Sequence, residues 1–134
     1  MKPDRCLVHD TLENAPAFAT LVSVLDRFAG NAAGDALRAP FVLGDREALV
    51  ALVSGAGAGS VDVATRQGTA RFSSTHEFVE AEIKGWLPVM GVTLPEPAIT
   101  RILAEAEKDL ARYATSAGGL AFDISAHVVS SRKL

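Results

Sequence analysis

Only three segments of the chain carry strand patterning, and helical stretches separate them. Arg5-Cys6-Leu7-Val8-His9 is a short, mostly apolar run and reads as a buried strand. Val61-Asp62-Val63-Ala64-Thr65-Arg66 alternates with period two, placing Val61, Val63 and Thr65 on one face, and the pattern runs on towards Phe72. Leu120 to Ser130 is the longest: Leu120, Phe122, Ile124, Ala126 and Val128 point one way, Asp123, Ser125 and His127 the other. Three strands are few for a sheet that must cover several helices. The order predicts a mixed α/β fold.

The helical signals are stronger. Asn14 is a suitable cap, Pro16 tolerates a first helical turn, and Phe18, Leu21, Val22, Leu25 and Phe28 recur at helical spacing before Gly30. Ala32 to Leu37 reads as a short helix that Pro40 stops. Asp45 caps a helix carrying Leu49, Val50, Leu52 and Val53, and Gly55 to Ser60 closes it as a flexible loop. Ser74-Thr75-His76-Glu77 is a capping box ahead of a helix with Phe78, Ala81 and Trp86, broken at Pro88. Pro95 opens the longest helix, with Ile99, Ile102, Leu103, Ala106, Leu110 and Tyr113 as its apolar stripe and Gly118-Gly119 as its end.

At 134 residues, with 49% hydrophobic and 22% charged residues, the chain has the make-up of one globular domain. No apolar run approaches the ~20 residues of a membrane span, and no apolar segment of a secretory signal follows Met1-Lys2-Pro3-Asp4-Arg5. The formal charge is −3 and Lys and Arg are scattered, which argues against a nucleic-acid surface. Cys6 is the sole cysteine, so neither an intrachain disulfide nor a cysteine metal cluster is expected; in a strand it reads as buried and inert. These features point to a soluble cytoplasmic protein.

Several segments, in order, resemble one family. Leu12-Glu13-Asn14-Ala15-Pro16-Ala17-Phe18 is similar to the stretch after the fifth strand of class I S-adenosylmethionine-dependent methyltransferases of the ubiquinone-biosynthesis-like type, the methyltransferase type 11 group. Leu37-Arg38-Ala39-Pro40-Phe41-Val42-Leu43-Gly44-Asp45 resembles the family's R-x-P-F-x-L-G-D junction. Arg71 to Val79 looks like its R-F-x-S-x-E-E-F-V lid segment, with His76 in place of a common acid. Gly118 to Val129 looks like its terminal strand, with Ser125 where glutamate is frequent. The resemblance runs from about Arg5 to Arg132. It implies a partial Rossmann-like fold whose three strands are the fifth, sixth and seventh, with residues 73–117 as a helical lid inside a single domain 1–134.

Members of that family hold S-adenosylmethionine on their N-terminal half, through a glycine-rich turn after the first strand and an acid ending the second. Nothing before Arg5 supplies these. Gly55-Ala56-Gly57-Ala58-Gly59 follows a helix, the wrong context for such a fingerprint. The resemblance therefore implies an acceptor-side half with no cofactor-binding residues, unable to bind S-adenosylmethionine or transfer a methyl group alone. In the family the fifth strand lies between the fourth and the seventh. With the fourth absent, the edge of residues 5–9 is bare and expected to recruit a second copy or a separate N-terminal-half protein.

Candidate site residues follow. His9 and Asp10 end the first strand, where open α/β sheets place ligands, and His9 could act as a general base; a solvated strand-to-loop junction is the plainer reading. Phe72, His76, Phe78, Trp86 and Met90 lie in the lid region that covers the acceptor in the resembled family, and their apolar bulk suits an apolar small molecule as well as ordinary core packing. His127 reads as a hydrogen-bonded structural histidine. The three histidines lack metal-ligand spacing, so no metal is expected. Three readings stay open: a methyltransferase half acting with a partner, a non-catalytic dimeric small-molecule-binding or protein-interaction module derived from that fold, and a remnant without a function of its own.

Overall fold

Apolar strand patterns place β1 at Asp4–His9, β2 at Ala58–Phe72 and β3 at Leu120–Lys133, in a computed structural model that describes residues 4–42, 44–55 and 58–133. The three form one sheet in the order β1-β3-β2. β1 runs antiparallel to β3, with Leu7 opposite Val128 and Val8 opposite His127, and it lies at the sheet's edge. Among the described residues the helices are α1 (Pro16–Phe28), α2 (Asn31–Arg38), α3 (Arg46–Gly55), α4 (Thr75–Glu80) and α5 (Glu96–Asp109). The architecture is mixed α/β, as the order of elements predicts, and the sheet is open and antiparallel. No helix among the described residues is long and apolar enough to cross a membrane.

The chain divides into two compact units. The first comprises Met1–Ala15, Pro40–Gly68 and Asp123–Leu134. Its apolar centre is Leu49 of α3 with Val63 of β2 and Val129 of β3, flanked by Val8, Val50, Val53 and Val61. Asp45 caps α3 as expected: its Oδ1 accepts from the Ala48 N–H at 3.0 Å. Gly55 to Ser60 differs from the expected loop. Residues 56 and 57 lie outside the described residues, and β2 already begins at Ala58. Strand hydrogen bonding here overrides the loop tendency of the small residues.

The second unit comprises Pro16–Ala39 and Thr69–Phe122. α1 buries Ala17, Leu21, Val22, Val24 and Leu25. α5 buries Ile99, Ile102 and Ala106, and Leu110 just beyond it is also fully buried. Each such large side chain contributes about 1.5–3 kcal/mol of transfer free energy. Rings fill the rest. Phe78 is wholly buried, 5.2 Å from Phe18, 5.0 Å from Phe72 and 5.1 Å from Phe122 between ring centroids.

Several local expectations are corrected. Asn14 sits in a 3-10 turn (Leu12–Asn14), two residues ahead of α1, and its side chain serves Asp10 rather than the helix. The long helix stops at Asp109, not at Gly118-Gly119. Gly118, with φ +86°, instead closes the turn into β3: its N–H donates to Thr115 O at 3.0 Å, and Thr115 N–H donates to Gly119 O at 2.9 Å. The capping box forms, with Glu77 N–H donating to Ser74 Oγ at 3.0 Å, but the Glu77 carboxylate reaches past Ser74 to the Ser73 N–H at 2.9 Å. After α4 the chain widens into a π-helical turn (Ala81–Trp86) and then tightens into a 3-10 turn (Leu87–Met90) containing Pro88.

Candidate functional site

The carboxyl end of β1 is where the first unit gathers its buried polar groups. Asp10, Ser125 and His127 are 8%, 7% and 3% exposed. Beyond Asp123 the buried positions of β3 are Ser125, His127 and Val129, the face opposite the apolar run, and His127 is the hydrogen-bonded structural histidine that the sequence suggests. The polar residues tolerate this because they satisfy one another. Ser125 Oγ donates to Asp10 Oδ2 at 2.7 Å. The Thr11 N–H donates to Asp10 Oδ1 at 2.7 Å, and Asn14 Nδ2 donates to Oδ2 at 3.2 Å. His127 Nε2 lies 2.7 Å from Gly44 O and 3.2 Å from Asp10 Oδ1. Both partners only accept, so Nε2 carries a proton. Thr65 Oγ1 meets the other ring nitrogen at 2.9 Å.

Burial pushes the Asp10 carboxyl up, but hydrogen bonds from Ser125, Thr11 and Asn14, with the charge of His127, outweigh it and hold the group below its ordinary value. Gly44 lets the 40–45 segment come this close. A Cβ there would stand 2.3 Å from Thr11 N and 2.5 Å from the Asp10 carbonyl carbon, both backbone atoms. The glycine of the R-x-P-F-x-L-G-D junction is therefore a packing requirement.

The Ser125 hydroxyl has one proton and gives it to Asp10 rather than to His127. Of the two residues suggested at the end of β1, Asp10 is consumed by the network. His9 packs its ring 4.9 Å from Phe41 and is half-buried. Neither is a solvated junction residue.

The lid candidates divide. Phe72 and Phe78 come together, within the ring cluster described above. Phe72 also borders a groove of about 350 Å³ with Arg71, Thr115 and Gly119. Trp86 is half-buried and its Nε1 donates to Ala36 O at 2.8 Å. Met90 is 42% exposed, beside Val89 at 72%. His76 stands on the exposed face of α4, with Nε2 2.6 Å from Glu80 Oε2, and Glu80 also faces Lys84 across 3.9 Å. Among the described residues no group of three His, Cys, Asp or Glu side chains could hold a metal ion.

Sequence patterning alone misses three participants. Ser125 and Thr65 carry no signal beyond their strand positions. Glu82 lies in the π-helical turn beside buried Ile83, and burial pushes its carboxyl up.

Gly55 ends a helix, and a Cβ built on it meets nothing within 4 Å, so no close approach there requires glycine. No protein-family model matches the chain, and no curated protein matches it.

Proposed function

We propose that the chain is the acceptor-side part of a class I methyltransferase-like protein, with β1, β2 and β3 in the places of the fifth, sixth and seventh strands of a partial Rossmann-like sheet. One observation supports this above the others: β1 pairs antiparallel with β3 and has an open edge on its other side. A fifth strand that kept its seventh-strand neighbour and lacked its fourth would have such an edge. The exposure of Leu7 on this edge strand, 73%, fits an edge meant to be covered. A second copy of the chain is the proposed cover, and a separate cofactor-binding half is the alternative.

In this reading the chain contributes the acceptor site, between the lid's aromatic residues, and S-adenosylmethionine is held by other residues. Positioning an apolar acceptor and excluding water are its contributions to rate. Calorimetry on the isolated chain tests it. An apolar aromatic compound such as 2-methoxynaphthalene should bind saturably while S-adenosylmethionine gives no binding heat. Micromolar binding of S-adenosylmethionine would overturn the acceptor-only assignment.

A second reading, a non-catalytic dimeric binding or interaction module derived from the same fold, draws on a different observation. The acid–base groups at the end of β1 are buried and bonded to one another rather than offered to a substrate.

A further inference from the structure

β1 meets β3 along its whole length without a bulge, from Asp4 opposite Ser131 to His9 opposite Ala126. The ladder continues one residue further, where the Asp10 N–H donates to Ser125 O at 3.2 Å. In an antiparallel pair, opposed residues alternate between those that exchange backbone bonds and those whose peptide groups point away. Asp10 is of the first kind, so Val8, Cys6 and Asp4 also bond towards β3. Arg5, Leu7 and His9 are of the second kind, and their N–H and C=O groups point to the open side of β1.

The two edge strands of the sheet differ. On β2 the Val63 carbonyl accepts from Arg46 Nη2 at 2.6 Å. On β1 the apolar Leu7 is 73% exposed, where edge strands that stay unpaired carry charges or proline. Leu7 stands opposite Val128, so the two begin an apolar row across the sheet that stops at the edge. Outward peptide groups bond to outward groups of the added strand, which restricts how an antiparallel copy of β1 can dock. Three registers place Leu7 opposite another residue of β1. With the two-fold axis at Cys6 that residue is Arg5, with the axis at Val8 it is His9, and with the axis at Leu7 it is the second copy's leucine. The last alone sets the exposed leucine against an apolar side chain.

We propose that β1 pairs with β1 of a second copy, antiparallel about a two-fold axis at Leu7, joining two three-stranded sheets into one. This rests on the reading above that a second copy covers the β1 edge, and it adds the register. Leu7 and its twin exchange both backbone bonds, and their side chains continue the row begun by Val128 from one chain to the other. The interface is self-complementary and closes at two chains. It also fills the edge that a separate cofactor-binding half would need, so one chain cannot hold both.

The sole cysteine, Cys6, makes the register measurable. With the axis at Leu7, the two Cα atoms of residue 7 are about 5.5 Å apart, within disulfide reach. The two Cα atoms of residue 6 lie on the diagonal, about 7–8 Å apart and beyond that reach. Mild oxidation of the full chain at micromolar concentration, followed on non-reducing gels, tests the proposal. Leu7→Cys in a Cys6→Ser background should cross-link roughly tenfold faster than wild type. It should equally outpace Leu52→Cys in the same background, since Leu52 is exposed on α3 and away from the edge strand. Unchanged far-UV circular dichroism shows that the variants fold. Fast cross-linking of wild type through Cys6 overturns the register and leaves the second copy standing. A dimer by light scattering in which Leu7→Cys cross-links no faster than Leu52→Cys overturns the strand pairing. A monomer by light scattering overturns the second copy and the register together.

Discussion

Replacing Gly44 with alanine should damage the first unit more than any other single methyl group. The new Cβ would stand 2.3 Å from Thr11 N and 2.6 Å from Thr11 Cα. Ordinary carbon contacts begin near 3.5 Å, so the segments must separate by about 1 Å. Neither neighbour is a flexible side-chain tip. That separation stretches the 2.7 Å bond from His127 Nε2 to Gly44 O beyond hydrogen-bonding range. Overpacking costs about 1–3 kcal/mol. Stranding a buried donor and acceptor costs about another 1–3 kcal/mol. The sum, about 2–6 kcal/mol, is a large share of the roughly 5–15 kcal/mol that holds a domain together. Urea unfolding followed by far-UV circular dichroism should show a matching fall in midpoint, with Gly55→Ala, where nothing lies within 4 Å, as the control. A loss under about 1 kcal/mol would refute the packing argument.

Further outcomes follow from the same geometry. Asp10 has a folded-state pKa below its ordinary 3.8, so its contribution is fully present above that value and is lost as pH falls through the lower folded value. Asp10→Asn should cost about 1–3 kcal/mol at neutral pH, because an amide N–H would face the donors Thr11 N, Ser125 Oγ or His127 Nε2. It should also flatten the acid limb of the stability profile, and an unchanged acid limb would contradict the network. Glu82 is the opposite case: burial raises it above 4.5, so its ionised form weighs against folding at neutral pH and that penalty fades as the carboxyl protonates in acid. Glu82→Gln should therefore raise the melting temperature at pH 7 and lose that advantage below pH 4.5, as thermal scans at the two pH values would show. Phe78→Ala should cost about 3–5 kcal/mol in the same urea assay, since the ring is wholly buried among three others.

What the sequence disclosed tracks where local physics dominates. The α1 and α5 stripes were legible because Leu21, Leu25, Ile99 and Ile102 repeat at helical spacing and are buried where the spacing places them. Asp45 and Ser74 were legible as caps because capping is local. Of the polar network, His127 was legible as a structural histidine and Asp10 as a candidate, but their partners were not. Alternation along β3 places Ser125 and His127 opposite the apolar side chains, but it does not say what partners keep that face dry. Partners 115 and 83 residues away in sequence, Asp10 and Gly44, keep them inside. Asn14 shows a local competition instead, since the Asp10 carboxylate four residues earlier took the side chain that capping rules assign to the helix. Glu82 gave no signal because a π-helical turn has no composition of its own.

The open edge of β1 carries the functional reading, and the oligomeric state tests it most directly. Light scattering at about 10 μM, well above the dissociation constants of stable dimers, should give a mass near twice the 14.0 kDa of one chain. Leu7→Lys, a charge on the exposed edge, should shift that mass back towards one chain without unfolding it. A well-behaved wild-type monomer at this concentration would contradict the proposal that β1 is an inner strand awaiting its second neighbour from another copy.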